Sequence, residues 1–446
     1  MKTFNKILKQ VLAVLSLSIL PMMAFGQQIT TNKDLQYWRP YSQDGLNVFE
    51  DPFTTNVKYD GFFVRIGAAN TIQFQGLSQE NNAAPTDPNA IPKLETNFNL
   101  PESNLDIDAQ LDRGLRMHLR TYLSSQHHTE AYVKGGYLQL DSFDFIKEGF
   151  LSELSNHIRI KVGLMEINYG DNHFRRTDNG MALYNPFVGN YIMDSFVTQA
   201  GGELYVYGGN VFGMIGVTNG KMNQNVTDKA DMGFKTHASI LAKLGYDNHA
   251  QQGLRFRLTG SLYTNSQSGA IHLYDGDRAG TRYYHVIDAG NAHAGRFYPT
   301  FTPGYGQPSA PGEITSFMIN PFIKYQGLEF YGVFEDISGK ISTEPKRRNF
   351  NQYAGELIYR FGANNDFYLG GRYNVVDGKL INGDDITIDR VNIGGGWFMT
   401  KNVETKIEYV SQTYDGFTTK IGDPTTPSIY QGAKFNGVMI EAVVAF

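Results

Sequence analysis

Apolar and polar side chains alternate one by one along most of this chain. In "IRIKVGL", Ile158, Ile160, Val162 and Leu164 share a face, with Arg159 and Lys161 opposite. In "LRMHLRTYL", Leu115, Met117 and Leu119 oppose Arg116, His118 and Arg120, and in "GLRFRLTGSLY" Leu254, Phe256, Leu258 and Leu262 oppose Arg255 and Arg257. A period of two is that of a β-strand with one apolar and one wet face. Such segments read as strands near 59–77, 103–111, 115–124, 129–141, 157–166, 197–208, 210–219, 233–246, 252–265, 313–326, 327–339, 349–361, 366–377, 386–400, 402–415 and 434–446. Their connections alternate in length. Gly208-Gly209, "DNHAQ", Gln326-Gly327, "GANN" and "TKN" are short, while 78–102, 167–196, 266–312 and 416–433 are long.

A sandwich would also alternate, but its apolar face must pack on a second sheet. In lipid every backbone group must pair internally, so a spanning sheet has to close on itself. Segments of about ten residues, apolar outside and polar inside, with short turns at one end and long loops at the other, are the pattern of a transmembrane barrel. The expected fold is all-β: a transmembrane antiparallel β-barrel of about 16 strands over 58–446, preceded by a periplasmic lead-in at 27–57. The hairpin 103–111/115–124 through "DRG" decides the parity, because one long strand there would leave an odd count.

The N-terminus sets the compartment. Lys2, Lys6 and Lys9 precede the apolar run "VLAVLSLSIL", and "AFG" supplies the small residues of a cleavage site, so 1–26 reads as a secretory signal peptide. Losing those three lysines takes the net charge from −5 to −8, too acidic for a general nucleic-acid binder. Cys is absent, which excludes disulfides, thiolate catalysis and cysteine-ligated zinc. At the other terminus, Val438, Ile440, Ala442, Val444 and Phe446 fall on one face. A terminal Phe closing an alternating strand resembles the signal by which outer-membrane barrels are taken up by the assembly machinery.

One stretch breaks the pattern. "NYGDNHFRRTDNGMALYNPFVGNYIMDSF", residues 168–196, follows neither period and carries Arg175 and Arg176. A sixteen-stranded barrel is too wide for its side chains alone to close. Irregular backbone at membrane depth is tolerated only where it lines water or is buried in protein. A constriction loop at 167–196 folded into the lumen is therefore expected, with Tyr184, Phe187 and Tyr191 on the inner wall. Its arginines either face solute or pin the loop through neighbours such as Asp171 and Asp178.

Alternation also assigns the lumen. Arg65, Arg116, Arg120, Lys134, Arg159, Lys161, Lys235, Lys243, Arg255 and Arg257 point inward in the first half. Glu329, Glu335, Glu356, Glu404 and Glu408, interleaved with Lys324, Arg360, Arg372, Arg390 and Lys406, do so in the second. Basic rings favour anions in a pore. The candidate pore-lining and selectivity residues are Arg175, Arg176, Arg116, Arg120, Arg159, Lys161, Lys235, Arg255 and Arg257, with Phe446 as the assembly signal.

The segments "YWRPYSQDGLNVFED", "YGDNHFRRTDNG" and "NPFVGNYIMD", with the arginine-bearing loop and the terminal Phe, resemble a porin-like group of Gram-negative outer-membrane porins near the phosphate-selective ones. The basic ladder that would mark a phosphate pore is not found. The resemblance implies a homotrimer in the outer membrane that passes small polar solutes by passive diffusion, and the basic lumen face adds a lean towards anions. A structural or accessory barrel with a filled lumen, partnering another membrane complex, is the alternative. Enzymatic readings are poorly supported, since neither H-E-x-x-H nor G-x-S-x-G occurs and "DDITID" lacks the glycine and distal glutamate of a calcium loop. "NIGGGW" reads as close strand packing rather than a phosphate cradle. No metal or cofactor is expected.

Overall fold

A computed structural model describes residues 33–99, 102–124, 131–177, 180–221, 235–249, 253–268, 272–274, 283–287, 295–299, 301 and 311–446. The expected signal peptide lies outside them. The architecture belongs to the unit Asp34–Phe446.

Sixteen strands form the wall: β1 Phe63–Glu80, β2 Glu102–Asp112, β3 Leu115–Ser124, β4 Ala131–Leu140, β5 Ile158–Glu166, β6 Thr198–Gly208, β7 Val211–Thr218 and β8 Ser239–His249 make the first half. The second half is β9 Leu254–Ser268, β10 Gly312–Tyr325, β11 Leu328–Ile341, β12 Arg348–Phe361, β13 Phe367–Lys379, β14 Asp385–Thr400, β15 Val403–Asp415 and β16 Lys434–Ala445. Each pairs antiparallel with its sequence neighbour. The barrel closes where β1 meets β16, from Ala69↔Ala445 to Glu80↔Lys434, while the other edge of β1 pairs with β2. A three-residue strand, Asn97–Asn99, is an addition on β1. The questioned hairpin at "DRG" is two strands, with Ile107 opposite Leu119, so the even count stands.

Burial follows the period of two. Along β12 Phe350, Gln352, Ala354, Glu356, Ile358 and Arg360 are buried, while Tyr353, Leu357, Tyr359 and Phe361 project outward and are exposed. The outward set is the apolar belt that lipid would cover. At the short-turn end it carries a run of stacked rings, Tyr359–Phe361–Phe367–Trp397, with centroids 5.7–6.0 Å apart, as expected of an interfacial aromatic girdle. Short turns join β6–β7, β10–β11 and β14–β15. The turn after β10 places Gln326 at φ 53, a conformation suited to a tight hairpin. One connection departs from this economy. Residues 141–157, at the short-turn end, include a helical turn at Ser152–Ser155.

Two expectations change. The strand placed at 233–246 begins at Ser239. Lys235 precedes it and is exposed, because regular alternation starts only at Ile240, after the polar "KTHAS". The described part of the 27–57 lead-in does not trail from the barrel. Trp38, Tyr41 and Phe49 are buried, and Gln36, Asn47, Glu50, Asp51 and Pro52 bond side chains of the inner wall.

Candidate functional site

The polar interior of the barrel is the site, and three inserted layers occupy it. The first, at the short-turn end, is residues 34–57. Gln43 and Asp44 hold it to the β14–β15 turn through Lys401 O and Lys401 Nζ. From there the chain runs across wall cations. Arg116 donates to Asp51 at 2.6 Å, Arg159 to the carbonyls of Asp51 and Pro52 at 2.6 and 2.7 Å, and Arg257 to Glu50 at 2.7 Å. Arg255 donates to the Asn47 carbonyl at 2.6 Å, and Asn47 Nδ2 donates to Glu329 at 2.6 Å. Phe49 sits among Phe174, Phe322 and Tyr331, with ring centroids 5.3–6.5 Å away. "YWRPY" and "NVFEDPF" are too aromatic for an exposed lead-in, and that was the available signal.

The second layer is the expected inward loop, between β5 and β6. It runs as short 3₁₀ turns at Asn172–Arg175 and Ala182–Tyr184. Wall side chains satisfy its backbone, since irregular structure cannot satisfy itself. Val188 and Gly189 N–H donate to Glu408, Ile192 N–H to Asn374 and Met193 N–H to Gln352. Lys406 donates to the carbonyls of Ala182 and Asn185. The expected aromatics pack inward: Phe187 and Tyr191 lie under the Arg372 guanidinium at 4.5 and 4.4 Å, and Tyr184 under Arg39 at 3.7 Å.

Fragments of the third long loop form the outermost layer. Tyr274 and Tyr283 donate to Glu335 and Glu408, each at 2.5 Å, and Arg390 donates to the Gly295 carbonyl at 2.6 Å. This layer also touches the one below, with Phe297 N–H donating to the Ile192 carbonyl at 2.8 Å.

The candidate selectivity residues are therefore gathered in the lumen, Lys235 excepted, and each cation has a carboxylate. Arg120 pairs with Asp106 through 2.6 and 2.8 Å bonds. Arg159 pairs with Asp141 at 2.6 Å, and Lys161 lies 3.6 Å from Asp51. Arg255 makes a fork with Asp247, and Arg257 shares Asp171 with Lys243. Arg175 bonds Glu356 on β12 and donates to Asn47 at 2.6 Å, tying the second layer to both the wall and the first layer. Arg176 chelates Asp194 within its own loop, at 2.8 and 2.9 Å. The pinning partners are thus Glu356 and Asp194. Asp171 is engaged by Arg257 and Lys243, and Asp178 lies outside the described residues. Asp106 and Asp108, absent from the expected set, alternate with Leu105 and Ile107 in "LDIDAQ", and that period of two marks them as inward.

Phe446 faces outward, and its backbone makes two 3.0 Å bonds with Ala68 that extend the β1–β16 seam. Among the described residues no cluster of His, Asp or Glu has the form of a metal site.

No family model and no curated protein matches the chain. Solved structures match it in shape. The anion-selective porin from Comamonas acidovorans aligns with a TM-score of 0.53 at 12% identity, over 86% of this chain and 100% of that one. OmpT, an outer-membrane protein of Vibrio cholerae, aligns at 0.51 and 11% identity over 87% of this chain and 99% of that one, and its trimer form at 0.51 and 10% over 87% and 100%. The fold is that of outer-membrane porins.

Proposed function

We propose that the chain is an outer-membrane, porin-type barrel that passes small polar solutes along a path narrowed by its inserted layers. The observation that carries this reading is the closed sixteen-strand wall, apolar outside, with charged and hydroxyl side chains set among buried apolar ones inside. A purely structural barrel could fill its centre with apolar side chains, at no desolvation cost. This one, beside a large buried apolar cluster, keeps arginines, carboxylates and tyrosines that a solute path would use. The lean towards anions rests on the basic first half of the wall. Because those cations are paired, selectivity is expected to be weak. Export by the signal peptide, insertion by the assembly machinery and a homotrimer complete the proposal, the last from likeness to the trimeric form of OmpT.

Liposome swelling tests it. Vesicles carrying the refolded protein should swell in arabinose or glycine faster than empty vesicles. A second reading, a filled accessory barrel that partners another complex, is favoured by one observation: Arg159, against the first layer, and Glu408, against the second, are both fully buried. Absence of swelling from correctly folded protein would select that reading.

A further inference from the structure

Between the first and second layers lies a cavity of about 90 Å³. Its lining is lopsided in charge. Five basic side chains reach it (Arg39, Arg116, Arg120, Lys134 and Lys161) against two carboxylates, Asp51 and Glu166. Asp106 and Asp108 stand behind Arg120, Arg116 and His118 and offset part of the excess. Arg39 is the exception. Its backbone N–H donates to Asp51 at 3.2 Å, but its buried guanidinium donates, among the described residues, only to neutral groups: the Gly45 carbonyl at 2.9 Å, the Phe174 carbonyl at 3.1 Å and Met181 Sδ at 3.9 Å. Its Nη2 has no hydrogen-bond partner, nor has Trp38 Nε1 or Arg116 Nε.

Asp51 and Glu166 act on the Arg39 guanidinium only across space, and a buried guanidinium with no carboxylate in hydrogen-bond contact is costly; water filling the cavity would solvate it without neutralising it. The lining also holds the apolar and aromatic side chains of Phe49, Met165, Phe174 and Tyr205. A strongly hydrated inorganic anion would meet them badly. The volume is several times the ~10–15 Å³ that one water needs, room for about six heavy atoms. We propose that this cavity binds a short organic carboxylate, whose anionic end completes Arg39 together with Arg116 and Lys161 and whose alkyl end lies on those apolar and aromatic side chains. The site is independent of conduction: it requires the folded lumen only, so a barrel that passes no solute would still bind.

Calorimetry on the full barrel in detergent, titrated with butyrate, tests the assignment. Butyramide, of the same shape without charge, and inorganic phosphate are the comparison probes. Saturable binding of butyrate and little of butyramide is the expected result. Arg39→Gln should weaken butyrate by about tenfold or more, the loss of one charge-assisted contact. Heat-resistant migration on gels reports whether that variant folds. If it does not, Lys161→Gln, which removes a partly exposed cation at the same cavity, should weaken butyrate in the same direction. No binding by folded wild-type protein, equal binding of butyramide, tighter binding of phosphate than butyrate, or butyrate affinity unmoved by the folded variants would each overturn the proposal.

Discussion

Glu356 is where the inserted loop is fastened, and its removal gives the sharpest energetic test of the layered lumen. One oxygen takes Arg175, and the other takes Arg372 Nε at 2.9 Å and the Tyr191 hydroxyl at 3.3 Å, all buried. Glu356→Ala removes the one carboxylate that both guanidiniums bond. Arg372 keeps Gly189 O at 2.8 Å and Asn185 Oδ1 at 2.9 Å, whereas Arg175 keeps only Asn47 and has an unpartnered Nε. Breaking a buried pair by removing one member costs about 3–5 kcal/mol, so the docked loop should open roughly two to three and a half orders of magnitude more often. Arg175→Met should cost less, about 2 kcal/mol, because Glu356 retains Arg372 and Tyr191. Combining the two should cost less than their sum, by about 1–3 kcal/mol. Hydrogen exchange reads this directly, since the amides of Val188, Gly189, Ile192 and Met193 are held by wall side chains. Unchanged exchange at those four amides in Glu356→Ala, or strict additivity, would refute the fastening.

Four further outcomes follow from the same geometry. Arg159→Glu sets a carboxylate beside Asp141 and facing the Asp51 and Pro52 carbonyls; residues 49–53 should lose exchange protection, while retained protection would separate the first layer from this anchor. Gly396→Val directs a side chain at the Tyr368 ring, 2.5 Å from where a Cβ would stand, and should destabilise the barrel by about 1–3 kcal/mol in urea titration; a neutral result would mean Tyr368 is free to move. Phe446→Ser keeps the backbone seam but removes the outward ring, and should lower the yield of heat-resistant barrel; a normal yield would leave the terminal Phe without an assembly role. In the two-stranded ribbon of Thr419–Lys420 and Asp423–Pro427, hydrogen bonds from Thr425 and Thr426 lower Asp423 from 3.8 to about 2. A depressed carboxylate stabilises above its unfolded pKa and ceases to do so as pH falls through the folded one, so order at 419–427 should hold from pH 7 to 4 and fade towards pH 2 in NMR spectra. Fading already at pH 5 would contradict it.

The wall was legible because its signal is local. Alternation at "IRIKVGL" or "VMIEAVVAF" depends only on one face meeting lipid and the other the lumen, and sixteen such segments mark sixteen strands. The inward loop was legible by default, as the stretch with no period in a place that needed narrowing. What occupies the rest of the lumen was not. Asp51 and Arg116 are far apart in sequence, and nothing in "VFEDPF" says that its carboxylate meets Arg116 rather than water. Alternation likewise places Arg159 inward without revealing that Asp141 and two carbonyls saturate it. A strand pattern fixes the direction of a side chain. It is silent on what the chain later brings to meet it.

Single-channel conductance across a planar bilayer, comparing the wild-type protein with a variant lacking residues 174–190, tests the central claim most directly. If inserted layers narrow a porin-type lumen, the wild-type protein gives small, stable steps and the deletion raises them several-fold, with heat-resistant migration preserved. Equal conductance from the two folded proteins would place the loop outside the conduction path and contradict the account.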